Sequence, residues 1–258
     1  ASDLDQQRKP EPLPADWLER LETLPVFQAA QKRDACRYPT VAANCEMFLP
    51  YDADVVLTGP DPAGEEEIPI GSAAQLLREL EALNRAALVV LDANLPPESL
   101  SFLAENLKPP LFADPVSVKK AGRLRPILAR LTAMKPNRPE ASLLTGVEIR
   151  GDGDLPRAAE AFFALGLQNV FISLGAQGVY YDDGHERGIL PCFASPVINT
   201  TGCGDAFLAA AACAWQEGRS LREMALSGLA ASAICARADS AVSPLITPDA
   251  IAGIIQNA

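Results

Sequence analysis

The chain has 258 residues, 48% of them apolar, and a formal net charge of −11. That length suits one sizeable α/β domain with little left for a second, and no unbroken apolar stretch approaches the ~18–20 residues of a membrane span. The acidic balance argues against a nucleic-acid partner, because affinity for a phosphate backbone comes largely from clustered Lys and Arg. A lone histidine, His185, lies in the polar run 182–187, which excludes Ser-His-Asp, H-E-x-x-H and multi-histidine metal chemistry. Six cysteines (Cys36, Cys45, Cys192, Cys203, Cys213, Cys235) form no C-x-x-C pair and no zinc spacing. They point to a reducing compartment, and so to a cytoplasmic protein.

In chain order, residues 1–16 read as a mobile arm, charged and proline-rich from Asp3 to Pro14, with no apolar signal-peptide core. One domain is expected over 17–258. Trp17–Lys32 fits an amphipathic helix with Trp17, Leu18, Leu21 and Leu24 on one side, Ala53–Leu57 a strand, and Ala73–Leu83 a helix. From Leu88 onward, short β-branched runs alternate with helical patterns. Strands are expected at Leu88–Leu91, Leu111–Ala113, Thr132–Lys135, Val170–Leu174 and Val179–Tyr181, with a further strand-like stretch at Ala194–Ile198. Helices are expected at Pro97–Asn106, Gly122–Leu131, Pro139–Leu144, Leu155–Leu165, Asp205–Trp215, Leu221–Ala236 and Pro248–Gln256. Pro97, Pro139 and Pro248 each open a helix, where a fixed φ and a missing N–H are tolerated. Such alternation predicts βαβ units and a mostly parallel sheet covered on both faces.

Four segments carry chemistry. In Asn199-Thr200-Thr201-Gly202-Cys203-Gly204-Asp205 a Gly-x-Gly turn opens a helix, leaving backbone N–H groups unpaired at the positive end of its dipole. That is an anion site with Asp205 beside the place where a phosphoryl group would rest. In Lys135-Pro136-Asn137-Arg138-Pro139-Glu140, Asn137 and Glu140 stand one helical turn apart. They could orient waters around Mg²⁺, or simply form a helix cap with its capping-box partner. Ser173-Leu174-Gly175-Ala176-Gln177-Gly178 makes a tight turn between two strands. Asp92 and Asn94, in Leu91-Asp92-Ala93-Asn94-Leu95, and Asp114, before Pro115-Val116-Ser117, end parallel strands, where α/β sheets bind ligands. A plain strand-end capping role for these three stays open.

The heptad resembles the C-terminal signature of the ribokinase-like (pfkB) carbohydrate and nucleoside kinases, Asp/Asn-Thr-Thr-Gly-Ala-Gly-Asp, with Cys203 in place of Ala. The second segment resembles that family's Asn-x-x-Glu motif, and the third its Thr/Ser-Leu-Gly-x-x-Gly segment beside ATP. The strand-end segments and Ala241-Val242-Ser243-Pro244 are similar to the pseudouridine kinase branch. The resemblance covers roughly residues 88–258. It implies a ribokinase-like three-layer α/β/α fold and ATP-dependent phosphorylation of a primary hydroxyl of a sugar or nucleoside, the pseudouridine 5′-OH foremost. Asp205 would be the base and the amides of Gly202, Cys203 and Gly204 would form the anion hole. Ser173, Gly175, Gly178, Asn137, Thr201 and Gly204 would line the nucleotide, and Asp92, Asn94 and Asp114 the acceptor. Asn137 and Glu140 would serve Mg²⁺, and Asn199 and Thr201 a monovalent cation such as K⁺. The partner implied is a small molecule, with neither nucleic acid nor membrane, and a homodimer is left open.

Two departures qualify this. Asn199 stands where the family usually has Asp, so strong K⁺ activation is not expected. No Gly-Gly pair occurs anywhere, although the family carries a Gly-Gly-x-x-x-Asn sugar-binding segment before its lid. The sugar-binding and lid part is therefore expected to be shortened. Either the chain is a truncated form, or the sugar site is lost and a catalytically silent nucleotide-binding paralogue remains.

Overall fold

Period-two alternation in the strands decides the architecture. In strand β2 (Leu111–Asp114), Leu111 and Ala113 point to one apolar core and Phe112 to another. In β4 (Asn169–Ser173), Val170 and Ile172 part from Phe171 in the same way. Each strand thus has two apolar faces and needs cover on both sides. The computed structural model describes residues 80–241 and 243–257. The arm at 1–16, the helix at Trp17–Lys32, the strand at Ala53–Leu57 and most of the helix at Ala73–Leu83 lie outside the described residues; residues 80–83 are helical as expected.

The described sheet has six strands in sequence order: β1 (Val89–Asp92), β2, β3 (Ala133–Met134), β4, β5 (Val179–Asp182) and β6 (Arg187–Leu190). The first four run parallel, while β5 and β6 fold back as antiparallel neighbours. Helices α1 (Pro97–Asn106), α2 (Val118–Ala121), α3 (Arg138–Thr145) and α4 (Leu155–Ala164) accompany the parallel strands. The larger core on their side includes Leu100, Leu103, Leu124, Leu144 and Phe162. Helices α5 (Cys203–Gln216) and α6 (Leu221–Cys235) cover the opposite face, and α7 (Pro248–Gln256) packs on α6. This is the expected three-layer α/β/α arrangement.

Several segments differ from the sequence reading, among them the short helix α2, which was not expected. Gly122–Arg130 is helical but 3₁₀ rather than α, with Pro126 inside it; a proline there has no N–H to give and clashes with the preceding turn. Ala194–Ile198 forms no strand. Pro196 cannot donate to a ladder, and the Ile198 N–H goes instead to Ala236 O at the end of α6, 2.8 Å away. Strand β6 was not expected. Its segment, Arg-Gly-Ile-Leu, is too short and mixed to announce a strand, and Gly188 faces Tyr181, whose hydroxyl would lie 2.8 Å from any added Cβ.

Two edge-on aromatic pairs fix α5 against the sheet: Phe112–Trp215, with centroids 5.9 Å apart, and Phe171–Phe207, 5.6 Å apart. Gly228 in α6 makes room for the Phe207 ring, which an added Cβ would meet at 2.6 Å. The N-terminus of α5 is thereby held over the C-terminal ends of the parallel strands. No helix among the described residues is long and apolar enough to cross a membrane.

Candidate active site

The anion turn is built by one glycine that nothing else could replace. Gly202 is in the left-handed region (φ 83), and a Cβ there would sit 1.9 Å from Ala241 O. No side chain caps α5. The Cys203 N–H donates to Thr200 O (3.2 Å), whereas the N–H groups of Gly202, Gly204 and Asp205 find no acceptor among the described residues. The open donors are therefore those three; Cys203, expected in the anion hole, has its amide engaged. Its thiol packs inward toward the Ser232 and Asn199 carbonyls (3.5 and 3.9 Å), and burial pushes its pKa up to about 12, so it remains a thiol at neutral pH.

Asp205 stands in the first turn of α5 and accepts no hydrogen bond among the described residues. Desolvation by the surrounding protein raises its pKa, the charge of Asp114 adds to the rise, and Lys135 opposes it. The carboxylate still reaches solvent, so it combines an elevated basicity with access.

The strand ends converge on the same place. Asp92, at the end of β1, takes the Asn94 backbone N–H on Oδ1 (2.8 Å) and the Asn94 side-chain amide on Oδ2 (2.9 Å). Burial lifts its pKa to about 6 against those hydrogen bonds, and Asp114 and Asp205 contribute further. Lys120 Nζ donates to Asn94 Oδ1 at 2.7 Å. Asp114, at the end of β2, accepts the Val116 N–H on Oδ1 (2.7 Å) and pairs through Oδ2 with Lys135 Nζ (2.9 Å). Val116 is held at φ 64, a region a β-branched residue rarely adopts.

The capping box proposed for Asn137 and Glu140 is formed: Asn137 Oδ1 accepts the Glu140 N–H and Glu140 Oε2 accepts the Asn137 N–H, both at 2.9 Å. Glu140 is buried, and desolvation raises its pKa. Its Oε1 has no hydrogen-bond partner among the described residues, so one hard oxygen could meet the water shell of a Mg²⁺ ion. Ser173 at the end of β4 donates its N–H to Pro136 O (2.8 Å) and bridges to Asn137, which sets the Gly175–Gly178 turn beside that helix start. Gly178 (φ 109) abuts Leu190 O, where a Cβ would come within 1.9 Å.

The residues expected at a monovalent cation, Asn199 and Thr201, also have protein contacts. Asn199 Oδ1 is taken by the Thr201 N–H (2.9 Å) and its amide leans on Asp239 O (3.4 Å). The Thr201 and Ala241 carbonyls face the Cys235 thiol at 3.7 and 3.5 Å.

Lys135 escaped the sequence reading as a functional residue. It is 7% exposed, follows β3 directly, and reaches Asp114 while flanking Glu140 and Asp205. Its one signal in the sequence was position, a charged residue ending a predicted central strand.

A profile of pfkB family carbohydrate kinases matches residues 61–248. The chain belongs to that family. It is 32% identical over 189 residues to the pseudouridine kinase of Escherichia coli (strain K12), covering 72% of this chain and 60% of that one. The structure of Thermotoga maritima ribokinase is similar with a TM-score of 0.62 at 27% identity, covering 69% of this chain and 59% of that chain. That of Arabidopsis thaliana ribokinase complexed with ribose and ATP gives 0.64 at 24% identity over the same shares, a likeness of fold alone. The chain thus spans about three-fifths of these pfkB relatives' length.

Proposed function

We propose that the protein transfers the γ-phosphoryl group of ATP to a primary hydroxyl of a sugar or nucleoside, with the 5′-OH of pseudouridine as the preferred acceptor. The observation that carries this is the pairing of a carboxylate, Asp205, that has no hydrogen bond among the described residues with the N–H groups of Gly202, Gly204 and Asp205 itself, open among the same residues. The acceptor hydroxyl gives its proton to Asp205 as its oxygen forms the new bond to phosphorus, and the bond to the ADP oxygen breaks. Phosphoryl transfer has a loose transition state, so alignment and charge neutralisation matter more than base strength. The open amides at the positive end of α5 supply part of that neutralisation.

Glu140 and Asn137 would hold the water shell of Mg²⁺, which neutralises charge on the nucleotide phosphates. Ser173 and the Gly175–Gly178 turn, beside Asn137, are placed to line the nucleotide; Asp92, Asn94 and Asp114 form the wall where an acceptor would lie. The preference for pseudouridine is supported by the 32% identity to the Escherichia coli pseudouridine kinase. Free cysteines, one of them buried, accord with a reducing cytoplasm.

A catalytically silent nucleotide-binding protein is the second reading, favoured by the absence of a Gly-Gly pair from these 258 residues. ATP turnover measured against pseudouridine, uridine, adenosine, ribose and fructose separates the two. Turnover highest with pseudouridine is expected. Nucleotide binding without turnover on any acceptor would establish the silent alternative.

A further inference from the structure

We propose that Lys135 is a catalytic residue whose ammonium contacts the phosphoryl group in transit, and that Gly204 lacks a side chain because that ammonium needs the space. The inference rests on the phosphotransfer reading above. The Lys135 backbone is pinned by its N–H to Ala113 O (3.1 Å) and continues into Pro136, so the side chain leaves a rigid strand end. Nζ is anchored by Asp114 Oδ2 at 2.9 Å. It also overhangs the first turn of α5, 3.1 Å from where a Cβ on Gly204 would lie.

Neutralising Asp114 alone does not explain that seat. A cation set against the N-terminus of a helix meets the positive end of its dipole, which is unfavourable by itself. The open N–H groups of Gly202, Gly204 and Asp205 make the same place still more positive. An ammonium set over a helix start that carries three open N–H donors describes a socket for a multiply charged anion. Asp205 and Glu140 flank the ammonium without a direct ion pair to it. Because Lys135 is nearly excluded from water, its charge acts on a bound phosphoryl group more strongly than an exposed lysine would.

Transition-state affinity is the test. Binding of ADP and of ADP with aluminium fluoride and Mg²⁺, a mimic of the phosphoryl in flight, is measured by calorimetry for the wild type and Lys135→Met. Removal of one charge-stabilising donor should cost about 10²–10³-fold in kcat, and a similar share of the extra affinity for the mimic. ADP alone should bind within about threefold of the wild type, because the contact belongs to the transferring group. Should Lys135→Met fold poorly, the double variant Lys135→Met/Asp114→Asn removes the stranded carboxylate and carries the same measurement. If either folded variant keeps the wild-type preference for the mimic over ADP, Lys135 only balances Asp114 and the proposal is overturned. A wild type that binds neither ADP nor the mimic contradicts the kinase reading itself and takes this inference with it.

Discussion

Asp205 and Asp114 are both carboxylates near enough to feel each other's charge, yet they are treated in opposite ways. Both oxygens of Asp114 are occupied, by the Val116 N–H and the Lys135 ammonium. Asp92 is likewise held on both oxygens by Asn94. Asp205 has no hydrogen bond among the described residues. Asp205 is solvent-exposed, so water can serve its oxygens, and no protein group has to leave before something else is bound there. The saturated carboxylates give the site its shape and charge balance; the bare one is free to take a proton.

The contrast can be broken by truncating each partner. Asp114→Ala strands a buried ammonium and should destabilise the fold by about 3 kcal/mol. Asp205→Ala removes no hydrogen bond among the described residues and changes an exposed side chain, so its melting temperature should stay close to that of the wild type. Equal losses in the two melting curves would mean that the distinction between them is false.

Asp92 gives a pH-dependent form of the same test. Its folded pKa of about 6 lies above the ordinary 3.8, so the folded state binds this proton more tightly than the unfolded chain. The resulting stabilisation is fully present below 3.8 and is lost as pH rises through about 6. Asp92→Asn should flatten the slope of melting temperature against pH between those values; an unchanged slope would place the titration elsewhere.

Gly204→Ala sharpens the comparison on the catalytic side. Alanine is at least as good a helix former as glycine, but its methyl would lie 3.1 Å from the Lys135 ammonium and push it aside by a few tenths of an ångström. The variant should be at least as stable as the wild type while losing turnover about tenfold, the usual cost of a misplaced group being up to 10². Glu140→Gln is the mildest change. Glutamine keeps the capping box, so the melting curve should hardly move while the Mg²⁺ concentration for half-maximal turnover rises. A lower melting temperature with the same Mg²⁺ dependence would leave Glu140 as a cap and nothing more.

The side of the molecule proposed to hold a nucleotide was more legible in the sequence than the charge network. Helices α1 and α7 begin at the prolines that announce them and end where expected. The heptad around Gly202 declared its turn, because only glycine fits against Ala241 O. The failures have tertiary causes. Ile198 was drawn from a strand by the Ala236 carbonyl, a residue 38 positions later. Lys135 looked like any polar strand terminus, and only the approach of Asp114 and Gly204, from distant parts of the chain, gives it a role. The open state of the Gly202 and Gly204 amides, and the engagement of Cys203, depend on where Thr200 O falls; no residue pattern encodes that.

The central claim is that Asp205 is the proton acceptor of a phosphoryl transfer, and its most direct test is single-turnover transfer of labelled γ-phosphate from ATP to the best acceptor, in the wild type and Asp205→Asn side by side. The substitution preserves shape and removes only the basic oxygen. Transfer should slow by about 10²–10⁴-fold with ADP affinity unchanged, and the acid limb of the wild-type profile should lie above the ordinary aspartate value of 3.8, as its raised pKa requires. Transfer at the wild-type rate in Asp205→Asn would contradict the account.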